Sequence, residues 1–404
     1  MRKSMLPPGG ANLFQAIKKQ CNEAEAAGIK IFRLTIGQPT GPALVSAREA
    51  AAIAVMSSEE TMHEYQDNGS PGVKDFAKRF VLAHLPVKIA GEVIQLNSAE
   101  NGLDYLPLPG TKPILGQVIQ ACGQISDRTI RVATMTNPGY PTPAVQAFYL
   151  GADHYALDTT PENKFLFSPA GAIRPGTQVV MTNYPHNPTG QVATIEFWQE
   201  LCQYCSDNNI RLFNDAAYAI LSHAPEACTL TEAALAFPDL SWAEAFSASK
   251  VIANGTGWRA GALVGSSDFV GDIATIKGNT DSGFVAFAAA GVIHSMEKDM
   301  ASIKENSQTY KQRLDLLCGL LETRGMRPAV SPGAGFFTLW LTPNQAFGQE
   351  IKDAAEFNEL MIQNTGVVGV PFGRYIRYAV TNPIEKQEWQ DAIIAAFDKA
   401  EVKY

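Results

Sequence analysis

Short apolar runs alternating with helix-patterned stretches constrain this chain more than any other feature. Ile130–Thr134, Gln178–Thr182 and Arg211–Phe213 each read as a short buried strand. Ile195–Asn208, between the last two, carries apolar residues at helical spacing. Strands joined through helices lie parallel, so the middle of the chain is expected to be α/β, with a mostly parallel sheet flanked by helices. The chain has 404 residues. One hydrophobic core stops growing at roughly 250–300 residues, so a second domain is expected. Ala290–Leu321 fits one long helix, and beyond Met326 the elements shorten, with Phe336–Leu341 and Ile376–Val380 strand-like. The expected division is an N-terminal arm over 1–41, a large domain over 42–290, a connecting helix over 291–325 and a smaller α+β domain over 326–404 on which the arm packs.

Composition excludes several classes. Hydrophobic residues make up 46% and charged residues 18%, which suits a packed globular protein. A formal net charge of −8 argues against a general nucleic-acid binder. Six cysteines in so long a chain are no disulfide framework, and Cys202-Gln-Tyr-Cys205, a lone CxxC inside a helical pattern, reads as core packing rather than a metal site. The opening MRKSMLPPGG lacks a following apolar run, so no signal peptide is expected. No stretch has the roughly 18 apolar residues of a membrane span, and the cytoplasm is the expected compartment.

Chemistry gathers in a few motifs. Ser247-Ala-Ser-Lys250 precedes Gly255-Thr-Gly-Trp-Arg259-Ala-Gly261. A lysine beside an aldehyde can form an imine, while hydroxyls and an arginine suit a phosphate; alone, the string also fits a glycine-rich surface turn. Gly255, Gly257 and Ala260 mimic a dinucleotide fingerprint but lack the preceding strand and the acidic partner. Asn214-Asp215-Ala-Ala-Tyr218 follows the strand Arg211–Phe213, and a carboxylate there points into the crevice where such sheets bind ligands. It can hold a pyridine nitrogen protonated, although a helix cap fits equally. In Asn183-Tyr-Pro-His-Asn187-Pro-Thr-Gly190, Asn187 is a candidate donor beside Tyr218, or part of a plain loop. Gly110-Thr111-Lys112 opens the helix-like Pro113–Cys122, a place for phosphate or for a simple cap. Tyr140, in Asn137-Pro-Gly-Tyr140-Pro, can stack on a ring or fill a core. Arg377 matches a carboxylate through its planar fork, or forms a structural ion pair.

Taken in order, from Ile36-Gly-Gln-Pro39 to Arg377, these blocks resemble the class I/II aminotransferases across nearly the whole chain. The resemblance implies the aspartate aminotransferase fold and pyridoxal 5'-phosphate (PLP) as cofactor, with Lys250 carrying it as a Schiff base and acting as the general base. It implies that Asp215 meets the pyridine nitrogen, that Asn187 and Tyr218 meet the phenolic oxygen, and that Tyr140 stacks on the ring. Thr111, Lys112, Ser247, Ser249 and Arg259 would surround the phosphate, and Gly37, Asn187 and Arg377 the substrate carboxylate. Tyr65 resembles the tyrosine that reaches a phosphate in the neighbouring subunit, implying a homodimer with shared active sites. The implied reaction moves an amino group between an L-amino acid and a 2-oxo acid by a ping-pong route.

The sequence departs from the family in places. Nine positions separate Lys250 from Arg259, one more than the family spacing, and Lys112 replaces a smaller residue. The loop between Gly373 and Arg377 is short, and Asp281-Ser-Gly283 resembles a substrate-side segment of some relatives. Two rival activities share the scaffold, a carbon–sulfur β-lyase and a decarboxylase. A non-catalytic PLP-binding regulatory module is a third alternative, disfavoured because the chain begins at the arm. The substrate side chain stays open.

Overall fold

The computed structural model describes residues 13–66, 72–95, 102–281 and 283–404. The opening MRKSMLPPGG and Ser282 lie outside these residues. In chain order the strands are β1 (Phe32–Arg33), β2 (Leu103–Leu108), β3 (Arg131–Thr134), β4 (Asp153–Ala156), β5 (Thr177–Thr182), β6 (Arg211–Asp215), β7 (Trp242–Ser247), β8 (Gly261–Ser266), β9 (Phe337–Leu341), β10 (Gln345–Ala346), β11 (Gln349–Glu350), β12 (Val367–Val368), β13 (Val370–Phe372) and β14 (Tyr375–Ala379). Two compact units result, one of Gly37–Leu314 with Val330–Thr338, the other of Met1–Ile36, Asp315–Ala329 and Leu339–Tyr404.

The larger unit holds a seven-stranded sheet in the order β2-β8-β7-β6-β5-β3-β4. β7, β6, β5, β3 and β4 are mutually parallel, and β8 runs antiparallel between β2 and β7. The expected strands appear as β3, β5 and β6, and the expected helix spans Ile195–Asp207. Thr194 starts that helix by accepting the N–H of Phe197, and its buried stripe is Phe197, Trp198, Leu201, Cys202 and Cys205. The two cysteines are therefore core residues, and burial pushes the Cys202 thiol up to about 12.

Side chains alternate across a strand, so the sheet separates two cores. Met181, Phe213, Ala243, Ala245 and Leu263 enter one; Val180, Leu212, Trp242, Phe246 and Val264 enter the other. A sheet covered on both faces needs strands that are apolar on both sides. Among the described residues, no helix is long and apolar enough to cross a membrane.

In the smaller unit, helix Leu13–Ala26 packs through Ile17, Cys21 and Ala24 against Ile362, Val368 and Val370. β1 runs parallel to β12, with Phe32 opposite Val367, so the N-terminal segment completes a fold built mainly from the C-terminal part. β13, β14 and β9 form a three-stranded sheet. Asp353 starts helix Ala354–Thr365 by accepting the N–H of Glu356 at 2.9 Å. The helix stops at Gly366, where φ is +74° and a Cβ would lie 2.0 Å from the Lys30 carbonyl oxygen, so the turn admits no side chain.

The single helix expected over Ala290–Leu321 is instead two, Ala286–Lys298 and Met300–Glu322. The break is Asp299, at φ −136° and ψ 37°. Its carboxylate accepts from Ser302 Oγ at 2.7 Å and Ser46 Oγ at 2.6 Å. A short acidic side chain that finds such partners favours a cap over continuation of the helix.

Candidate active site

Tyr140, Asn187 and Lys250 follow the carboxyl ends of the parallel strands β3, β5 and β7, where open α/β sheets bind ligands. Asp215 is the last residue of β6 and lies opposite Ala245 of β7. β7 ends at Ser247, and the chain then enters a single 3-10 turn, Ala248–Lys250. This turn brings the Lys250 ammonium toward Asp215 and over the Tyr218 ring, with Nζ 4.8 Å from the ring centroid. Tyr218 is held edge-on by Phe336 and Phe337, at centroid distances of 5.6 and 5.5 Å.

Burial dominates the electrostatics of both charged groups. It lowers the Lys250 ammonium from 10.5 to about 8, with Arg259 lowering it further and Asp215 opposing. It raises Asp215 from 3.8 to about 6, against a hydrogen bond from Thr111, the charge of Lys250 and the Ala217 N–H. A lysine so shifted has a sizeable neutral fraction near physiological pH, the state a nucleophile or general base requires. Asp215 Oδ1 is buried and, among the described residues, has no hydrogen-bond partner.

The loop Asn183–Gly190 lies buried beside β6. Asn183 ties it down, donating from Nδ2 to the Asp215 carbonyl at 2.7 Å while its Oδ1 accepts the Asn187 N–H at 3.2 Å. Asn187 is thus held near the backbone of Asp215. His186 bonds Thr189 through Nδ1 at 2.9 Å, and burial lowers it to about 3.

Arg259, at φ +51°, donates to the carbonyls of Pro109 at 2.8 Å and Thr256 at 3.0 Å. Its guanidinium lies against Gly110, where φ is +84° and a Cβ would be 2.5 Å from Nη2. Gly110-Thr111-Lys112 and Arg259 therefore meet despite the extra residue between Lys250 and Arg259. Ser247 Oγ donates to Ser249 Oγ at 2.9 Å, and the Ser249 N–H donates back to Ser247 Oγ. Thr111 is buried with its hydroxyl on Asp215, whereas Lys112 is exposed. Tyr140 is half-buried against the core below helix Ile114–Ala121. After Gly255 the chain makes one 3-10 turn, Thr256–Trp258, and enters β8, which is no dinucleotide-binding arrangement.

Gly37 is exposed and Tyr65 is 78% exposed in the larger unit. In the smaller unit Arg377, on β14, is buried; it donates to the Thr35 carbonyl at 2.9 Å and lies 5.5 Å from the Phe372 ring centroid.

Thr111, expected at the phosphate, bonds Asp215 as well. Sequence reading assigns no role to three further residues: Asn183, which holds the Asp215 backbone, and Asn214 and Glu244, which form a buried polar link beside it. Glu244 did carry a signal: it is the lone acid in the otherwise uncharged strand Trp242–Ser247.

The family model described as aminotransferase class I and II matches residues 29–382. LL-diaminopimelate aminotransferase of Syntrophobacter fumaroxidans is 29% identical, covering 97% of this chain and 96% of that protein. The enzyme of the same name from Methanocaldococcus jannaschii is 28% identical, over 96% of this chain and 91% of its own length. A single mutant of Thermus thermophilus aspartate aminotransferase superimposes with a TM-score of 0.80 at 21% identity, covering 99% of both chains.

Proposed function

This chain belongs to the aminotransferase class I and II family, and from that premise we propose that it transfers an amino group between an L-amino acid and a 2-oxo acid, with PLP bound at Lys250. The observation that carries the reading is a half-buried lysine over the Tyr218 ring, close enough to the buried Asp215 carboxylate to feel its charge, with one oxygen of that carboxylate lacking a partner among the described residues. That oxygen, Asp215 Oδ1, calls for an N–H donor, and a protonated ring nitrogen is one; the residues fit the cofactor. When bound, PLP supplies the carrier for the amino group and the ring that draws electrons from the substrate α-carbon.

The chain's own residues do the rest. Lys250 would hold the cofactor through Nζ, and its amine, when neutral, would be the base that moves the proton at the substrate α-carbon. Asp215 holds the ring nitrogen protonated. Asn187 and Tyr218 donate to the phenolic oxygen, and Tyr140 stacks on the ring. Thr111, Lys112, Ser247, Ser249 and Arg259 surround the phosphate. Gly37, Asn187 and Arg377 take the substrate carboxylate. The division into an arm over 1–41, a large domain over 42–290 that would hold the cofactor, a connecting segment over 291–325 and a small domain over 326–404 belongs to the same proposal.

A cytoplasmic homodimer belongs to the same proposal. Tyr65, Ile53 and Met56 are 78%, 75% and 85% exposed, and apolar side chains so open favour a covering partner. Tyr65 would reach the phosphate in the other subunit.

The test is borohydride reduction of the PLP-treated protein followed by peptide mass mapping, with each amino acid, LL-diaminopimelate included, assayed for conversion of the bound cofactor to its amine form. Label on Lys250 and conversion by at least one donor are expected. Absence of visible-range absorbance, or label elsewhere, overturns the reading.

A further inference from the structure

Glu244 is a fully buried carboxylate in the middle of the sheet, and the donors that meet it among the described residues are neutral. It sits on β7 directly opposite Asn214 of β6, the residue before Asp215. Four donors converge on it: Asn214 Nδ2 at 2.8 Å, the Leu230 N–H at 3.1 Å, the Thr231 N–H at 2.8 Å and Thr231 Oγ1 at 2.6 Å. A buried carboxylate is costly, so one kept deep in a sheet and met by donors alone is tied to what those donors hold.

On one side the donors hold the start of helix Leu230–Ala234. On the other side is Asn214, whose other side-chain bonds face the loop of Asn187 or its supports. Its Oδ1 accepts from the Tyr184 N–H at 2.9 Å and Thr182 Oγ1 at 3.0 Å, and its Nδ2 also donates to the Tyr184 carbonyl at 2.9 Å. Both polar groups of the Tyr184 backbone are thereby clamped. The neighbouring Asn183 bonds the Asp215 carbonyl and the Asn187 N–H. The path from Glu244 to the backbones of Asp215 and Asn187 is unbroken.

We propose that Glu244 and Asn214 are positioning residues that set the placement of Asp215 and Asn187 relative to the cofactor ring. The inference rests on the reading that PLP binds at Lys250. Displacement of Asn187 removes a donor from the phenolic oxygen, and displacement of Asp215 weakens the hold on the protonated ring nitrogen. Both changes favour the protonated form of the Lys250–cofactor linkage, so the pH midpoint of the visible absorbance moves up.

The experiment compares N214A with two conservative changes, T182V on the Asn187 side of the link and T231V on the helix side. PLP affinity, the pH midpoint of the bound cofactor's visible absorbance and the melting temperature of the PLP-free protein are measured for each. N214A is expected to bind PLP at least tenfold more weakly and to raise the midpoint by half a unit or more. T182V is expected to raise it in the same direction by a smaller amount. T231V is expected to lower the melting temperature while leaving affinity and midpoint at wild-type values. If N214A does not fold, the contrast between T182V and T231V decides. The proposal is overturned if T182V and any folded N214A lose only thermal stability, or if T231V shifts the midpoint as far as T182V. Failure of the wild-type protein to take up PLP at Lys250 sinks instead the underlying reading of the site.

Discussion

Lys250 Nζ stands 4.8 Å from the centroid of the Tyr218 ring, and the ring is pinned edge-on by Phe336 and Phe337. The aromatic wall fixes where the Tyr218 hydroxyl can go, separately from what the hydroxyl does. Tyr218→Phe keeps the wall and removes the donor. The expected result is an upward shift of about one unit in the pH midpoint of the bound cofactor's absorbance, equivalent to about 1.4 kcal/mol, with kcat lower by about tenfold. Spectrophotometric titration checks the first and steady-state assay the second; an unchanged midpoint removes Tyr218 from the phenolic oxygen.

Asp215 makes the stability of the PLP-free protein depend on pH. Its folded value, about 6, lies above the ordinary 3.8, so the folded state holds the proton more tightly than the unfolded chain does. The stabilisation from that bound proton is fully present below about 3.8 and is lost as pH rises through about 6. Asp215→Asn lacks this titration. Relative to wild type, the variant should therefore gain stability between pH 4 and 6 and level off above, by on the order of 2–3 kcal/mol. Urea unfolding of both PLP-free proteins at a series of pH values measures this. A constant difference across the range contradicts it. The PLP-loaded variant should lose activity by at least about a thousandfold, the upper range for loss of a group that controls proton transfer.

Gly110 is required by Arg259. A Cβ at Gly110 would stand 2.5 Å from Arg259 Nη2, and that guanidinium is tethered to Pro109 and Thr256, so it cannot simply swing away. The φ of +84° adds a penalty of about 1–2 kcal/mol for any L side chain. Gly110→Ala should lower the melting temperature by a few degrees and weaken PLP binding about tenfold or more, because Arg259 is displaced from the proposed phosphate site. Equilibrium binding of PLP by fluorescence, beside a melting curve, separates the two effects. Wild-type affinity in the variant would remove Arg259 from that site.

What the sequence made legible follows from how local each signal is. The strands β3, β5 and β6 announced themselves because a sheet with two covered faces needs unbroken apolar runs, and Val179–Met181 and Leu212–Phe213 supply them. Lys250, Asp215 and Asn187 were readable as motif residues following strand ends. Asn214 was not, since its partner Glu244 lies 30 positions away and only strand register sets them opposite each other. Thr111 was read as part of a phosphate cup because of the turn it occupies, and its bond to Asp215 depends on packing across the sheet end. The break at Asp299 was hidden because the apolar pattern continues through it, while the capping partner Ser46 is remote in sequence.

Arg377 supplies the sharpest test of substrate recognition. It is buried on β14, with one amino group committed to the Thr35 carbonyl and the guanidinium plane near Phe372. A planar fork in that setting can meet a carboxylate with two parallel bonds, which a lysine ammonium cannot reproduce. Arg377→Lys keeps the charge and loses the fork. Each hydrogen bond to a charged group is worth about 1.5–3 kcal/mol, so KM for the amino acid and for the 2-oxo acid should both rise roughly 10- to 100-fold. PLP affinity and the absorbance midpoint should stay at wild-type values, since none of the groups assigned to the cofactor changes. Measuring both half-reactions matters, because the α-carboxylate is common to both substrates and the side chain is not. A variant that raises KM for one substrate alone would place Arg377 at the side chain, and one with unchanged KM for both would leave it a structural residue of β14.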